Sequence, residues 1–306
     1  MGIVALAGGV GGAKLADGLA EILLPGELTV IVNTGDDFEH FGLRICPDLD
    51  TVCYNLAGLH NPETGWGRRG ESWVSAEAVG RLGGPTWFRL GDLDLGTHLE
   101  RTRRLKAGDR LSAITKDFCH SWGIGSSVLP MSDDPVPTIV LTAEGELSFQ
   151  EYFVARRCEP EVMGFKFVDI LCSTPAPGVL AAIEEADLVV ICPSNPWVSI
   201  DPILGVPGIR QVLAEKVVVA VSPLVGGKAI KGPAAKMYAE LGIEPSALSV
   251  AQHYGELLSG FVMDNIDKNL TKILSISSLI TDTIMVEREQ RHKLAEEVLS
   301  FARTLM

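Results

Sequence analysis

The sequence predicts an α/β fold: a mostly parallel sheet with helices on both faces and a helical insertion after the second strand. Two observations carry this. The runs Ile3–Ala7, Leu28–Val32, Leu188–Cys192 and Lys216–Val221 are almost continuously apolar rather than alternating, the pattern of strands buried on both faces. The first, third and fourth of these runs end in loops of glycine, serine, asparagine and proline.

Taken in order, Ile3–Ala7 is the first strand, the glycine stretch from Gly8 is a loop, and Ala13–Leu24 has helical character. Leu28–Val32 closes a strand–loop–helix–strand unit within about 30 residues, as such units usually do. Residues 56–124 are poor in β-branched runs; Glu71–Leu82, Leu93–Leu105 and Arg110–Trp122 read as helices, and four of the five tryptophans fall here. This part is expected to be a helical insertion over the sheet edge, a lid or a partner surface. The core is then 1–55 together with 125–306. Gly178–Ala186 reads as the helix leading into Leu188–Cys192, and Glu287–Leu305 as a charged amphipathic C-terminal helix. In parallel sheets ligands bind at the carboxyl ends of the strands, so the three loops after the first, third and fourth runs are expected on one edge.

Composition narrows the function. Among 306 residues, 26 basic side chains face 39 acidic ones, a formal net charge of −13, which argues against a diffuse basic surface for nucleic acid. An anionic small substrate remains compatible, because a few lysines, backbone N–H groups and a divalent metal reverse the field locally. The six cysteines form no C-x-x-C pair and read as buried reduced thiols, without a zinc site. The N-terminal Met1–Leu6 lacks a basic region, and no apolar run approaches the ~20 residues of a spanning helix. A cytoplasmic protein with no membrane partner is expected.

Five stretches offer chemistry. In Gly8-Gly9-Val10-Gly11-Gly12-Ala13-Lys14, glycines let the backbone approach a phosphate and Lys14 adds a charge one turn into the helix. The frame is neither that of a dinucleotide fingerprint nor of a Walker loop. Next, Asp36, Asp37, Glu39, Asp48 and Asp50 crowd one short stretch after a buried strand. A hard cation would neutralise them, with Asp37, Asp48 and Asp50 as candidate Mg²⁺ ligands; Asp48 or Asp50 could equally cap a helix starting near Thr51. Removing one charge here, as in Asp50→Asn, is expected to cost little stability. In the third stretch, Trp87-Phe88-Arg89 could hold a flat ring or a phosphate, Asp92 is a helix cap or a ligand, and His98 reads as structural rather than as a general base. In the fourth, Ser194 and Asn195 could bond a base edge or ribose. In the fifth, Gly226-Gly227-Lys228 with Lys231 reads as a second phosphate cradle. No nucleophile elbow and no H-E-x-x-H pair is present.

In that order, Leu6–Lys14, Asn33–Asp37, Pro47–Thr51, Arg89–Asp92, Leu129–Asp133, Phe149–Phe153, Pro193–Pro196 and Gly226–Lys228 resemble the motifs of the 2-phospho-L-lactate transferase family over nearly the whole chain, departing at Gly96, where alanine is expected. The resemblance implies a Rossmann-like core, a homodimer, dependence on Mg²⁺, and a role in coenzyme F420 biosynthesis. In that reaction the ribityl hydroxyl of the deazaflavin Fo attacks the phosphorus of a guanylylated three-carbon phospho-acid, and GMP leaves. Carried over by matching motifs, Asp50 and Arg89 would bind Fo, with Asp50 as the catalytic carboxylate. Gly9, Gly11, Gly12, Lys14, Ser194, Asn195, Gly227, Lys228 and Lys231 would hold the guanylyl part. Two other readings share the glycine opening: a nicotinamide-dependent oxidoreductase, and a non-catalytic regulatory relative that binds UDP-sugars.

Overall fold

The computed structural model describes residues 1–306. Its centre is a sheet of seven strands: β1 (Ile3–Ala7), β2 (Leu28–Val32), β3 (Ser127–Pro130), β4 (Leu188–Ile191), β5 (Val218–Val221), β6 (Gly260–Asp264) and β7 (Ser277–Thr281). They lie in the order β7-β6-β5-β4-β1-β2-β3, and every neighbouring pair is parallel. The strands are apolar throughout because both faces are covered. Ile3, Ala5 and Ala7 of β1 belong to one core, Val4 and Leu6 to the other. The chain builds outward from β1 through β2 to β3, then returns to β4 on the other side of β1. Between β1 and β4 the strand order reverses, and the loops after these two strands flank a crevice there.

Helix α1 (Gly9–Ile22) begins inside the glycine stretch, four residues before the expected Ala13. It packs against the C-terminal helix Arg288–Arg303 so closely that a Cβ at Gly18 would lie 2.3 Å from the carbonyl oxygen of Arg291. Buried Arg291 donates to Asp17 at 2.8 Å and to Asn55 at 3.3 Å, tying both helices to α2 (Pro47–Leu56). Helix α2 starts at Pro47 rather than near Thr51, since proline suits the first helical position, and Cys46 is its N-cap. Asp48 and Asp50 therefore lie in its first turn, favourable for carboxylates, and neither caps a helix at Thr51.

The segment after α2 holds α3 (Val74–Arg81), α4 (Asp92–Lys106) and α5 (Leu111–Ser121) before the chain enters β3. Asp92 caps α3, not its own helix: its carboxylate accepts from the amides of Val74 at 3.0 Å and Ser75 at 3.1 Å. Not anticipated were β3, β6, β7, a hairpin of Phe38–His40 with Leu43–Ile45, and an antiparallel sheet of Thr138–Thr142, Gly145–Ser148 and Val162–Phe167. No helix is long and apolar enough to cross a membrane.

One ion pair fastens α4 to the floor of the core. Arg101, 2% exposed, grips Asp50 of α2 with both terminal nitrogens, one of them at 3.0 Å from Oδ2. Asp50→Asn is therefore expected to be costly, contrary to the reading from charge density alone. It leaves a buried guanidinium without its anion, a loss of roughly 3–5 kcal/mol. Urea denaturation measures this, and an unchanged midpoint would refute it.

Candidate active site

A cleft of about 640 Å³ runs along the carboxyl edge of the sheet, within the usual size range for small-molecule sites. One end of it is built where the loops after β1 and β4 interlock. Ser194 Oγ accepts from the Gly8 amide at 3.0 Å and donates to the Gly8 carbonyl at 2.8 Å. The Gly9 amide donates to Asp48 Oδ1 at 2.6 Å, with Gly9 at φ +61°. Side chains would break this contact: a Cβ at Gly11 would lie 2.3 Å from the Pro193 carbonyl, and one at Gly12 would lie 2.4 Å from Ser194 Oγ. The glycines serve close packing of two loops as much as ligand approach.

Three cations line the cleft, and none is ion-paired. Lys14 donates to the Met285 carbonyl, Lys231 donates to the Thr64 carbonyl at 3.1 Å, and the Arg89 guanidinium sits 4.2 Å from the Trp73 ring centre. Burial, then the charge of Arg291, pushes Lys14 below the usual lysine range. Each cation is positioned by a neutral partner, so its charge remains available to an anion.

The carboxylates form two groups. Asp36 and Asp48 face each other on the cleft floor, with Asn33 Nδ2 at 3.3 Å from Asp36 and 2.9 Å from Asp48. Burial, then the charges of Asp48 and Asp37, pushes Asp36 well above the usual carboxylate range. Burial also pushes Asp48 up to about 6, against hydrogen bonds from Asn33 and Gly9. Such a pair needs a proton or a hard cation between its members. The second group is Asp50, Asp94 and His98, whose ligating atoms lie within 4.8 Å of one another. Arg101 already supplies the positive charge there, 3.2 Å from His98 Nδ1, so this group suits an added cation poorly. Burial pushes Asp50 up while Arg101 pulls it down.

Of the expected site residues, Gly9, Gly11, Lys14, Asp48, Asp50, Arg89, Ser194, Asn195 and Lys231 line this one cleft. Gly12 lies just behind, against Ser194. Asp37 does not reach the cleft: it pairs with Arg44 at 3.3 Å, and its neighbour Asp36 takes the cleft position. Gly227 and Lys228 do not line it either. They belong to a tight hairpin of Leu224–Val225 with Lys228–Ala229, where the Gly226 amide is taken by Asp267 at 3.0 Å, so the expected cradle reduces to Lys231. Asn195 spends its side-chain oxygen on the Trp197 amide at 3.0 Å.

Reasoning from sequence missed Asp36, Tyr54, Asp94 and Arg101. The i, i+4, i+7 spacing of Asp94, His98 and Arg101, one face of a helix, was the available signal. Also lining the cleft, Trp87 and Phe88 pack with Phe38 and His40 at ring separations of 4.8–5.9 Å. Phe149 and Phe153 stack at 5.5 Å and also line the cleft, so one aromatic-lined compartment holds them together with Trp87, Phe88 and Arg89.

Known proteins resemble this chain in sequence and in fold. The family model of the 2-phospho-L-lactate transferase CofD matches residues 3–300. The chain is 47% identical over 281 residues to a phosphoenolpyruvate transferase of Thermobifida fusca, covering 87% of each. It is 38% identical over 307 residues to a 2-phospho-L-lactate transferase of Methanosarcina barkeri, covering 99% of each. A solved structure of a UPF0052-family protein from Bacillus halodurans superposes with a TM-score of 0.65 at 16% identity over 97% of this chain and 98% of that one, a likeness of fold. Matched from end to end in sequence and carrying an anion-ready cleft at the switch point of its sheet, the chain belongs to the 2-phospho-L-lactate transferase family and is a transferase.

Proposed function

We propose that the chain transfers a phospho-acid group from a guanosine-diphospho donor to the ribityl hydroxyl of Fo, releasing GMP, as a step of coenzyme F420 biosynthesis. One observation carries the reading: in a chain of formal net charge −13, Lys14, Arg89 and Lys231 line a single cleft without a carboxylate partner. A donor with two phosphates and an acid group brings comparable negative charge. Identity is 47% and 48% to two relatives named phosphoenolpyruvate transferase, against 38% and 39% to two named 2-phospho-L-lactate transferase, so the enolpyruvyl donor is the first to test.

The diphosphate rests at the N-terminus of α1, between Lys14 and Lys231, where backbone amides and two lysines offset its charge. The aromatic compartment takes the deazaflavin ring, Arg89 and Asp50 flank it, and the ribityl chain extends toward the phosphorus. Transfer then needs chiefly alignment of the hydroxyl, the phosphorus and the leaving GMP oxygen. Mg²⁺ fits at Asp36 and Asp48, whose crowded carboxylates lack a counter-charge; when bound, it neutralises charge on the transferred phosphate. A homodimer in the cytoplasm, free of nucleic acid and membrane, completes the proposal; Val74 and Leu82, 65% and 89% exposed, offer an apolar face for the second copy.

Three measurements test this reading. GDP should raise the melting temperature while NAD at the same concentration does not; equal shifts would sink the guanylyl assignment. Arg89→Ala should weaken Fo binding about tenfold or more in a fluorescence titration and leave GDP binding unchanged, since a charge-assisted hydrogen bond is worth about 1.5–3 kcal/mol. Finally, carboxyls raised in the folded state hold protons that the unfolded chain has lost. With Asp48 at about 6, stability should therefore fall as pH rises from about 4 to about 6. Mg²⁺ should replace the missing proton, so its stabilising effect should be larger at about pH 7.5 than at about pH 5. Equal effects at both pH values would place the cation elsewhere.

A further inference from the structure

The carboxylates that line the cleft are Asp36, Asp48, Asp50 and Asp94, and three of them have their oxygens taken by fixed donors. Asp36 accepts from Asn33 and Gln150, Asp48 accepts from Gly9 and Asn33, and Asp50 is gripped at both oxygens by Arg101. Asp94 differs. Its Oδ1 accepts from the Tyr54 hydroxyl at 2.7 Å, while its Oδ2 faces His98 Nε2 at 3.3 Å without a formed hydrogen bond, and that nitrogen has no other partner. Its side chain is also the more open, 14% exposed against 8% for Asp50.

The network behind Asp94 has a fixed polarity. A guanidinium can only donate, so Arg101, 3.2 Å from His98 Nδ1, makes that nitrogen the acceptor and leaves the ring proton on Nε2, toward Asp94. Burial raises the Asp94 carboxyl, but the facing His98 ring and the hydrogen bond from Tyr54 outweigh this and hold it below the usual range. In the first turn of α4 a negative charge is further favoured by the helix dipole. Asp94 is thus an ionised acceptor, oriented from two sides and open on the third.

We propose that Asp94, rather than Asp50, is the carboxylate that meets the attacking hydroxyl, with Tyr54 and His98 as the residues that position it. This rests on the reading that the acceptor is an alcohol. The hydroxyl O–H bond breaks and its proton passes to Asp94 Oδ2. The alcohol oxygen bonds to phosphorus, and the bond from phosphorus to the GMP oxygen breaks, its electron pair leaving with GMP. Asp50 stays bound to Arg101 and keeps α2 and α4 in register.

The test uses full-length protein with Mg²⁺, Fo and the synthetic guanylyl enolpyruvyl and lactyl donors. Asp94→Asn is expected to lower kcat by about 10² or more, leaving donor KM and Fo affinity within about threefold. Asp94→Glu should recover at least about tenfold of that loss, which a purely structural defect would not allow. Should Asp94→Asn fail to fold, Tyr54→Phe decides: removal of its one hydroxyl donor should lower kcat at least about fivefold with Fo affinity kept. Asp94→Asn turning over within about threefold of wild type, or Tyr54→Phe with unchanged kcat, overturns the role of Asp94 alone. Wild-type protein that transfers nothing to Fo from either donor overturns the alcohol acceptor, and Asp94 with it.

Discussion

The hydrogen bond from the Gly9 amide to the Asp48 carboxylate, 2.6 Å long, is the contact on which the rest of the site depends. It joins the turn after β1 to the first turn of α2, elements otherwise separated by the whole of α1 and β2. Once Gly9 is held, Gly8 meets Ser194 from the loop after β4, and the two loops close on each other across the switch point. The glycines have little freedom to vary here, because a Cβ at Gly8 would fall 2.5 Å from Asp48 Oδ2. Asp48 is in turn kept close to Asp36, whose charge it would otherwise avoid. The crowding of two acids is the physical cost of anchoring the glycine loop from below.

Charge is distributed with the same economy. The surface is acidic overall, yet the cleft cations are held by carbonyls and an aromatic face instead of by carboxylates. A carbonyl or a ring orients a cation without cancelling it, whereas an ion pair would have to be broken before a substrate anion could bind. The carboxylates that need a counter-charge have it elsewhere: Asp37 with Arg44, Asp17 with Arg291, Asp50 with Arg101. The Asp36–Asp48 pair lacks one although its two carboxylates crowd each other.

The segment between α2 and β3 is more than a cover. Its helix α4 lays Asp94, His98 and Arg101 along one face, and α2 answers with Asp50 and Tyr54 at i, i+4 spacing. The two helices meet through polar contacts at the edge of the cleft, so this side of the cleft exists only when the segment is docked. A buried guanidinium at this junction penalises undocking, because it would then have to part from its only carboxylate.

Local signals were enough for the class of fold. Continuous apolar runs marked β1, β2, β4 and β5 as strands buried on both faces, and the loops after β1, β4 and β5 were placed on one edge, as observed. They were weaker for β3, β6 and β7, whose apolar runs are only Val128–Leu129, Phe261–Met263 and Leu279–Ile280, and for the antiparallel sheet around Thr138–Phe167. The sequence by itself determined that glycine, lysine and aspartate would gather at the carboxyl edge, because periodicity and turn chemistry are local properties of the chain. Which aspartate faces the cleft, which lysine reaches it and which carboxylate keeps an open oxygen were decided only by the tertiary structure. Asp36 and Asp37 are adjacent in sequence, yet one meets Asp48 and the other Arg44; Lys228 and Lys231 share a loop, yet only one lines the cleft. The difference rests on side-chain direction and on partners distant in sequence, such as Arg101 for Asp50 and Tyr54 for Asp94, and neither is encoded in a residue's own neighbourhood.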